Sequence, residues 1–162
     1  MTTDDTPRAA DARPVSVRPH GSPSDLAAVW AAITGMYQAY TTGDRERIDS
    51  FLDPEASVWD SATPGLLRGK AELDRVRDAR PALDAAAGRS ALTAYDCVID
   101  VFGTIAVARY WLRVDFPAPD PTAPRPPELV RNTAILRHDN DNDRWLIVHL
   151  HEDVQPGGQA AT

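Results

Sequence analysis

Apolar residues recur at three- and four-residue intervals through Leu26, Val29, Trp30, Ile33, Met36, Tyr37 and Tyr40, the spacing of one buried helix face. Ser22-Pro23-Ser24-Asp25 supplies the start of that helix: a hydroxyl cap, a proline at the first helical position and an acid three residues after the cap. Gly43 offers a left-handed stop. A shorter helix capped by Asp44 follows, with Ile48, Phe51 and Leu52 on its inner side. Asp53-Pro54 ends it, because the residue before a proline resists helical angles. Residues 55–61 carry Val58 and Trp59 and run into the turn Ala62-Thr63-Pro64-Gly65, which reads as a strand. Helical spacing returns over 70–80 through Ala71, Leu73 and Val76, and Pro81 closes it.

Beyond residue 90 the period drops to two. Residues 92–102 alternate, with Tyr95, Cys97, Ile99 and Val101 predicted on one face, and Gly103-Thr104 turns the chain into a partner strand over 105–116. A proline-dense stretch over 117–127 separates this hairpin from a second one, 129–137 with 145–153, around a turn at 138–144. Two helices, a strand, a helix and four strands make an α+β order, a sheet with helices on one face. Residues 1–21 are polar and proline-punctuated with no apolar period, so they are expected to form a disordered arm, as is the tail 155–162. One domain over 22–154 remains.

Composition narrows the function classes. A chain of 162 residues can bury one sizeable core but hardly two. With 17 basic against 24 acidic side chains the formal charge is −7, which argues against a nucleic-acid partner. No run approaches the ~20 continuous apolar residues of a bilayer crossing, so no membrane role is expected. A single cysteine, Cys97, cannot form an internal disulfide. The first 23 residues lack the apolar core of a signal peptide, and cytoplasmic residence is the default expectation.

Four places carry candidate chemistry. Asp139, Asp141 and Asp143 alternate as at the start of a calcium loop, but Arg144 stands where that loop needs glycine and Leu150 where it needs glutamate, so a solvated hairpin turn is the reading. His149 and His151 point the same way on a strand, with Asp153 beside them and Glu152 on the opposite face unless a bulge intervenes, and whether the histidines or Glu152 face the cavity stays open. They read as half of a metal site without a third ligand, or as hydrogen-bonding imidazoles that line a cavity or a dimer face; no bound metal is expected. Asp60, an acid at the end of a half-buried strand, is either a desolvated general base or a turn residue capping Thr63 or Gly65. The aromatic residues belong mostly to the core, but Trp30, Tyr37, Trp59 and Trp111 are also of the type that walls a small-molecule cavity. Cys97 reads as packing, and the strand arginines Arg109, Arg113, Arg131 and Arg137 as outward-facing.

Several strings in this order resemble the nuclear transport factor 2-like superfamily, in particular its SnoaL-like and ketosteroid-isomerase-like branch. They are Tyr37-Gln-Ala-Tyr-Thr-Thr-Gly-Asp44, Phe51-Leu-Asp-Pro-Glu-Ala-Ser-Val-Trp-Asp60, Leu67-Arg-Gly-Lys-Ala-Glu-Leu73, and Arg131-Asn-Thr followed by Arg144-Trp-Leu-Ile-Val-His-Leu-His151. The last strand also resembles the association domain of calcium/calmodulin-dependent kinase II. The resemblance implies a strongly curved antiparallel sheet wrapped around the helices into a cone, an apolar cavity at its wide end, and a homodimer across the outer sheet. It implies that Asp60 aligns with the catalytic base of the isomerase branch. The two oxyanion donors of that branch fall at Met36 and about Ala134, which carry no donor, so steroid isomerisation is not expected. Tyr40, one helical turn from Met36, and His149 or His151 are the candidate replacements. The expected function is a cofactor-independent acid–base enzyme of isomerase, cyclase, dehydratase or other lyase type, such as a polyketide cyclase, acting on a small apolar carbonyl compound. The alternative is a ligand-binding or dimerisation module without catalysis, since one fold hosts both.

Overall fold

The computed structural model describes residues 21–80, 90–118, 122 and 125–156; most of the expected N-terminal arm and C-terminal tail lies outside them. Helix α1 (Pro23–Thr42) starts and stops where its signals sit. The Ser22 hydroxyl accepts from the Asp25 N–H at 3.1 Å while the Asp25 carboxylate accepts from the Ser22 N–H at 3.2 Å, and Gly43 closes the helix at φ 70°. The short α2 (Arg45–Ser50) is capped by Asp44, and α3 (Gly69–Ala79) follows a two-residue strand. Among the described residues, no helix is long and apolar enough to cross a membrane.

Six strands form one curved, unclosed sheet in the order β2-β1-β6-β5-β4-β3: β1 (Leu52–Trp59), β2 (Leu67–Arg68), β3 (Ala91–Phe102), β4 (Ile105–Asp115), β5 (Glu128–Asp139) and β6 (Arg144–Val154). Every pair is antiparallel except β1 with β6, where Ser57, Val58 and Trp59 run parallel to His149, Leu150 and His151. Three departures from the sequence reading have local causes. Leu52 and Asp53-Pro54 belong to β1 rather than to α2, because the Phe51 carbonyl already accepts the Ile147 N–H at 2.9 Å and begins the pairing with β6. The strand β2 is too short to carry an apolar period. In β3, Asp96 takes φ 52° and two residues, Asp96 and Cys97, stand opposite one, Tyr110. That bulge turns Tyr95 to the face away from Cys97, Ile99 and Val101, whereas strict alternation had put all four together.

One face of the sheet is covered by α1, which touches β3 and β6. Ile33, Met36, Leu136 and Ile147 are each at most 1% exposed between them, and a fully buried side chain of this size contributes about 1.5–3 kcal/mol. The other face carries ion pairs, Arg109 with Asp100 and Arg131 with Asp153, and leaves Val98 and Trp59 about two-fifths exposed. Cys97 packs partly against the core, and burial pushes its thiol up to about 11, far from reactive thiolate character.

Candidate active site

Alternation along each strand decides what enters the space between helices and sheet. On β1, Ala56 and Val58 are buried and the next residue of that parity is Asp60; on β6, buried Leu150 is followed by Glu152; on β5, buried Val130 is followed by Asn132. With Met36, Tyr37 and Tyr40 from α1, Leu73 from α3 and Leu112 from β4, these strands wall a cavity of about 180 Å³ into which Asp60, Ser61, Arg80, Glu128 and Glu152 bring polar groups.

Glu152 is the most perturbed acid there. Burial, then the negative charge of Asp60, pushes its carboxyl up to about 7, against the pull of the Tyr37 hydroxyl, of Arg80 and of the Ser61 N–H. Tyr37 donates toward Glu152 Oε1 at 3.4 Å, shares a hydrogen bond of 2.9 Å with the Tyr110 hydroxyl and accepts from Asn132 Nδ2 at 2.8 Å. A phenol has one hydrogen, so when Tyr37 gives it to Glu152 its oxygen takes hydrogens from both Tyr110 and Asn132. Burial raises both phenols well above their ordinary values, which keeps them neutral donors.

Asp60 reaches the same cavity with both oxygens already engaged. Oδ1 accepts the Ala62 N–H at 2.9 Å and the Thr63 hydroxyl at 3.2 Å, the capping arrangement of a strand-end turn, and Oδ2 meets Arg80 Nη2 at 2.6 Å. The Tyr40 oxygen accepts a long hydrogen bond, 3.4 Å, from Arg77 Nη2, whose guanidinium lies 6.0 Å from the ring centre, so the Tyr40 O–H is left to donate into the cavity. Arg77 is fixed in turn by Asp49 at 2.7 Å.

The structure thus brings Met36, Tyr37, Tyr40 and Asp60 together. It places the other sequence candidates elsewhere. His149 and His151 lie on the outer face: His149 Nδ1 hydrogen-bonds the Ser57 hydroxyl at 2.8 Å, and His151 is exposed beside Asp153 in a polar groove of about 430 Å³. The alternation that aligns the two imidazoles with Asp153 is intact, and it turns them away from the cavity because Leu150 and Glu152 own the inner side. Trp111 lines that outer groove and Trp59 is 40% exposed. Trp30 packs edge-on against Tyr110 at 5.8 Å, and Ala134 is sealed in the core. Among the described residues no group of three potential metal ligands converges. The sequence leaves open whether His149 and His151 or Glu152 face the cavity, and the structure puts Glu152 there; the sequence does not point to Arg80 in the cavity, nor to Tyr110 and Asn132, which bond the Tyr37 hydroxyl.

The family model for the SnoaL-like domain matches residues 29–154. Similar solved structures include an NTF2-like protein with a cystatin-like fold from Novosphingobium aromaticivorans (17% identity, TM-score 0.68, covering 83% of this chain and 84% of that one). The CaMKII hub of S. rosetta is 23% identical with a TM-score of 0.67, covering 85% of this chain and 99% of that one. A Streptomyces avermitilis protein of the NTF2-like family, whose dehydratase name is provisional, is 22% identical with a TM-score of 0.62, covering 83% of this chain and 98% of that one. No curated protein sequence matches this chain.

Proposed function

Because the chain belongs to the SnoaL-like domain family, we propose that it is an acid–base enzyme acting without a cofactor on a small carbonyl compound, with Glu152 as the group that carries the proton. The observation behind this reading is a mostly buried carboxyl that faces both an apolar cavity and the charge of Asp60, and therefore changes protonation near neutral pH. As carboxylate, Glu152 takes a proton from the carbon next to the carbonyl; as acid, it returns that proton to another atom of the same molecule. Tyr40 donates its free O–H to the carbonyl oxygen as negative charge gathers there, and Arg77 behind it favours that charge. Asp60, held by Arg80 and by its own turn, supplies the field that keeps Glu152 basic rather than removing the proton itself. The dehydratase name of the Streptomyces avermitilis neighbour fits the same acid–base chemistry.

The test follows the α-protons of small ketones, cyclohexanone and acetophenone, by NMR in D₂O. Exchange faster than in buffer, and cut by about 10²-fold or more in Glu152→Gln, is the expected result. Equal exchange by both proteins would remove Glu152 from the role.

The CaMKII hub neighbour supports a second reading, an association module, and the exposed Val98 and Trp59 on the outer face suit a homodimer formed there. Light scattering distinguishes the two states: a dimer that Val98→Glu converts to monomer is expected, and a wild-type monomer would sink it.

A further inference from the structure

The charges around the cavity do not balance, and the imbalance has one source. Three carboxyls line it, Asp60, Glu128 and Glu152, against one guanidinium, Arg80. Arg80 is committed to Asp60 at 2.6 Å, and Glu128 is held by Arg125 at 2.7 Å. Apart from the pull of Arg80, which is already paired with Asp60, the groups that hold Glu152 are neutral, the Tyr37 hydroxyl and the Ser61 N–H, and burial keeps the nearby Tyr110 a neutral phenol. His149, His151 and Asp153 are on the other side of the sheet. Once Glu152 ionises, the cavity therefore holds, among the described residues, one negative charge with no counter-charge of its own.

We infer that the ligand of this cavity is a small apolar molecule bearing a positively charged amine, whose ammonium supplies the missing counter-charge at Glu152. A carboxylate-bearing ligand would instead bring a second negative charge beside the buried Glu152 carboxylate, where like charges repel more strongly than in water. Tyr37 and Tyr40 in the same wall add rings whose faces attract cations. At about 180 Å³ the cavity lies below the roughly 300 Å³ at which drug-sized sites begin, so the occupant is one ring with a short arm rather than a fused polycycle. This rests on Glu152 as the working group of the proposed enzyme and adds the charge class of its ligand: a bound ammonium favours the carboxylate, the form that accepts a proton, while lowering its basicity against the effect of Asp60.

The experiment measures binding of three matched one-ring probes, benzylamine, benzyl alcohol and benzoate, by calorimetry at pH 7.5 to the whole protein and to Glu152→Gln, whose fold is checked by its melting curve. Benzylamine is expected to bind at least tenfold tighter than benzyl alcohol, with benzoate weakest, and Glu152→Gln should bring benzylamine down to the alcohol while leaving the alcohol unchanged. Benzoate binding as tightly as benzylamine, no binding by any probe, or an undiminished benzylamine affinity in the variant would overturn the inference. Carbon NMR of the Glu152 carboxyl separates the two layers. An ordinary carboxylate midpoint refutes the acid–base reading whatever the probes do, whereas a midpoint near 7 without amine preference refutes the charge inference alone.

Discussion

Replacing Glu152 with glutamine should stabilise the protein at pH 8 and leave it unchanged at pH 4.5. Below 4.5, the ordinary value of such a carboxyl, folded and unfolded chains both hold the proton and the group contributes no difference. Between 4.5 and about 7 the unfolded chain releases a proton that the folded one retains, so stability falls as pH rises; above about 7 the cost is complete. The gap between the two values, at about 1.4 kcal/mol per pH unit, makes that cost about 3 kcal/mol. Glutamine keeps an oxygen for the Tyr37 hydroxyl and the Ser61 N–H but never ionises, so it escapes the cost. Urea unfolding of both proteins at pH 4.5, 6, 7 and 8 reads the difference directly. It should grow from near zero to about 3 kcal/mol, or roughly 6–12 °C in melting temperature for a chain of this length. A difference that stays flat across the series, or a variant weaker than wild type at pH 8, would mean that Glu152 is solvated and titrates like a surface acid.

Asp60→Asn removes the negative neighbour and frees Arg80, and both changes should draw the Glu152 midpoint down toward 4.5; carbon NMR that finds it unmoved would separate the two carboxyls electrostatically. Tyr37→Phe deletes the hydroxyl shared by Asn132, Tyr110 and Glu152, which should cost about 1–3 kcal/mol in denaturant unfolding and raise the Glu152 midpoint, with an unchanged stability counting against the network.

Much of the fold was legible because the signals that set it are local. Ser22, Asp25 and Gly43 fix α1 through contacts within a few residues of themselves, and the hairpin turn at Gly103 takes the positive φ that glycine allows. The candidate site was legible in half. Helix spacing puts Met36, Tyr37 and Tyr40 on one face, but their place in a site, and that of Asp60, came from the family resemblance, and parity alone cannot say which face of a sheet the helices cover. His149 and His151 were aligned with each other correctly and still sit outside, since choosing the inner face needs the burial of Leu150. Tyr95 shows the other limit. The left-handed angle at Asp96 reverses every side chain before it, and an aspartate in a strand gives no warning of a bulge. Arg80 reached the cavity from the end of α3 through an ion pair 20 residues away in sequence, beyond any periodic pattern.

The parallel seam between β1 and β6 couples residues that leave the ribosome far apart in time. Ser57 must wait for His149, 92 positions later, before the strand at the centre of the sheet has both neighbours. Until β6 is made, α1 lacks part of its cover and β5 has an open edge, a state prone to bind other chains. A chain that stops short of Arg144 therefore lacks both the strand that joins β1 to β5 and the cavity wall of Leu150 and Glu152.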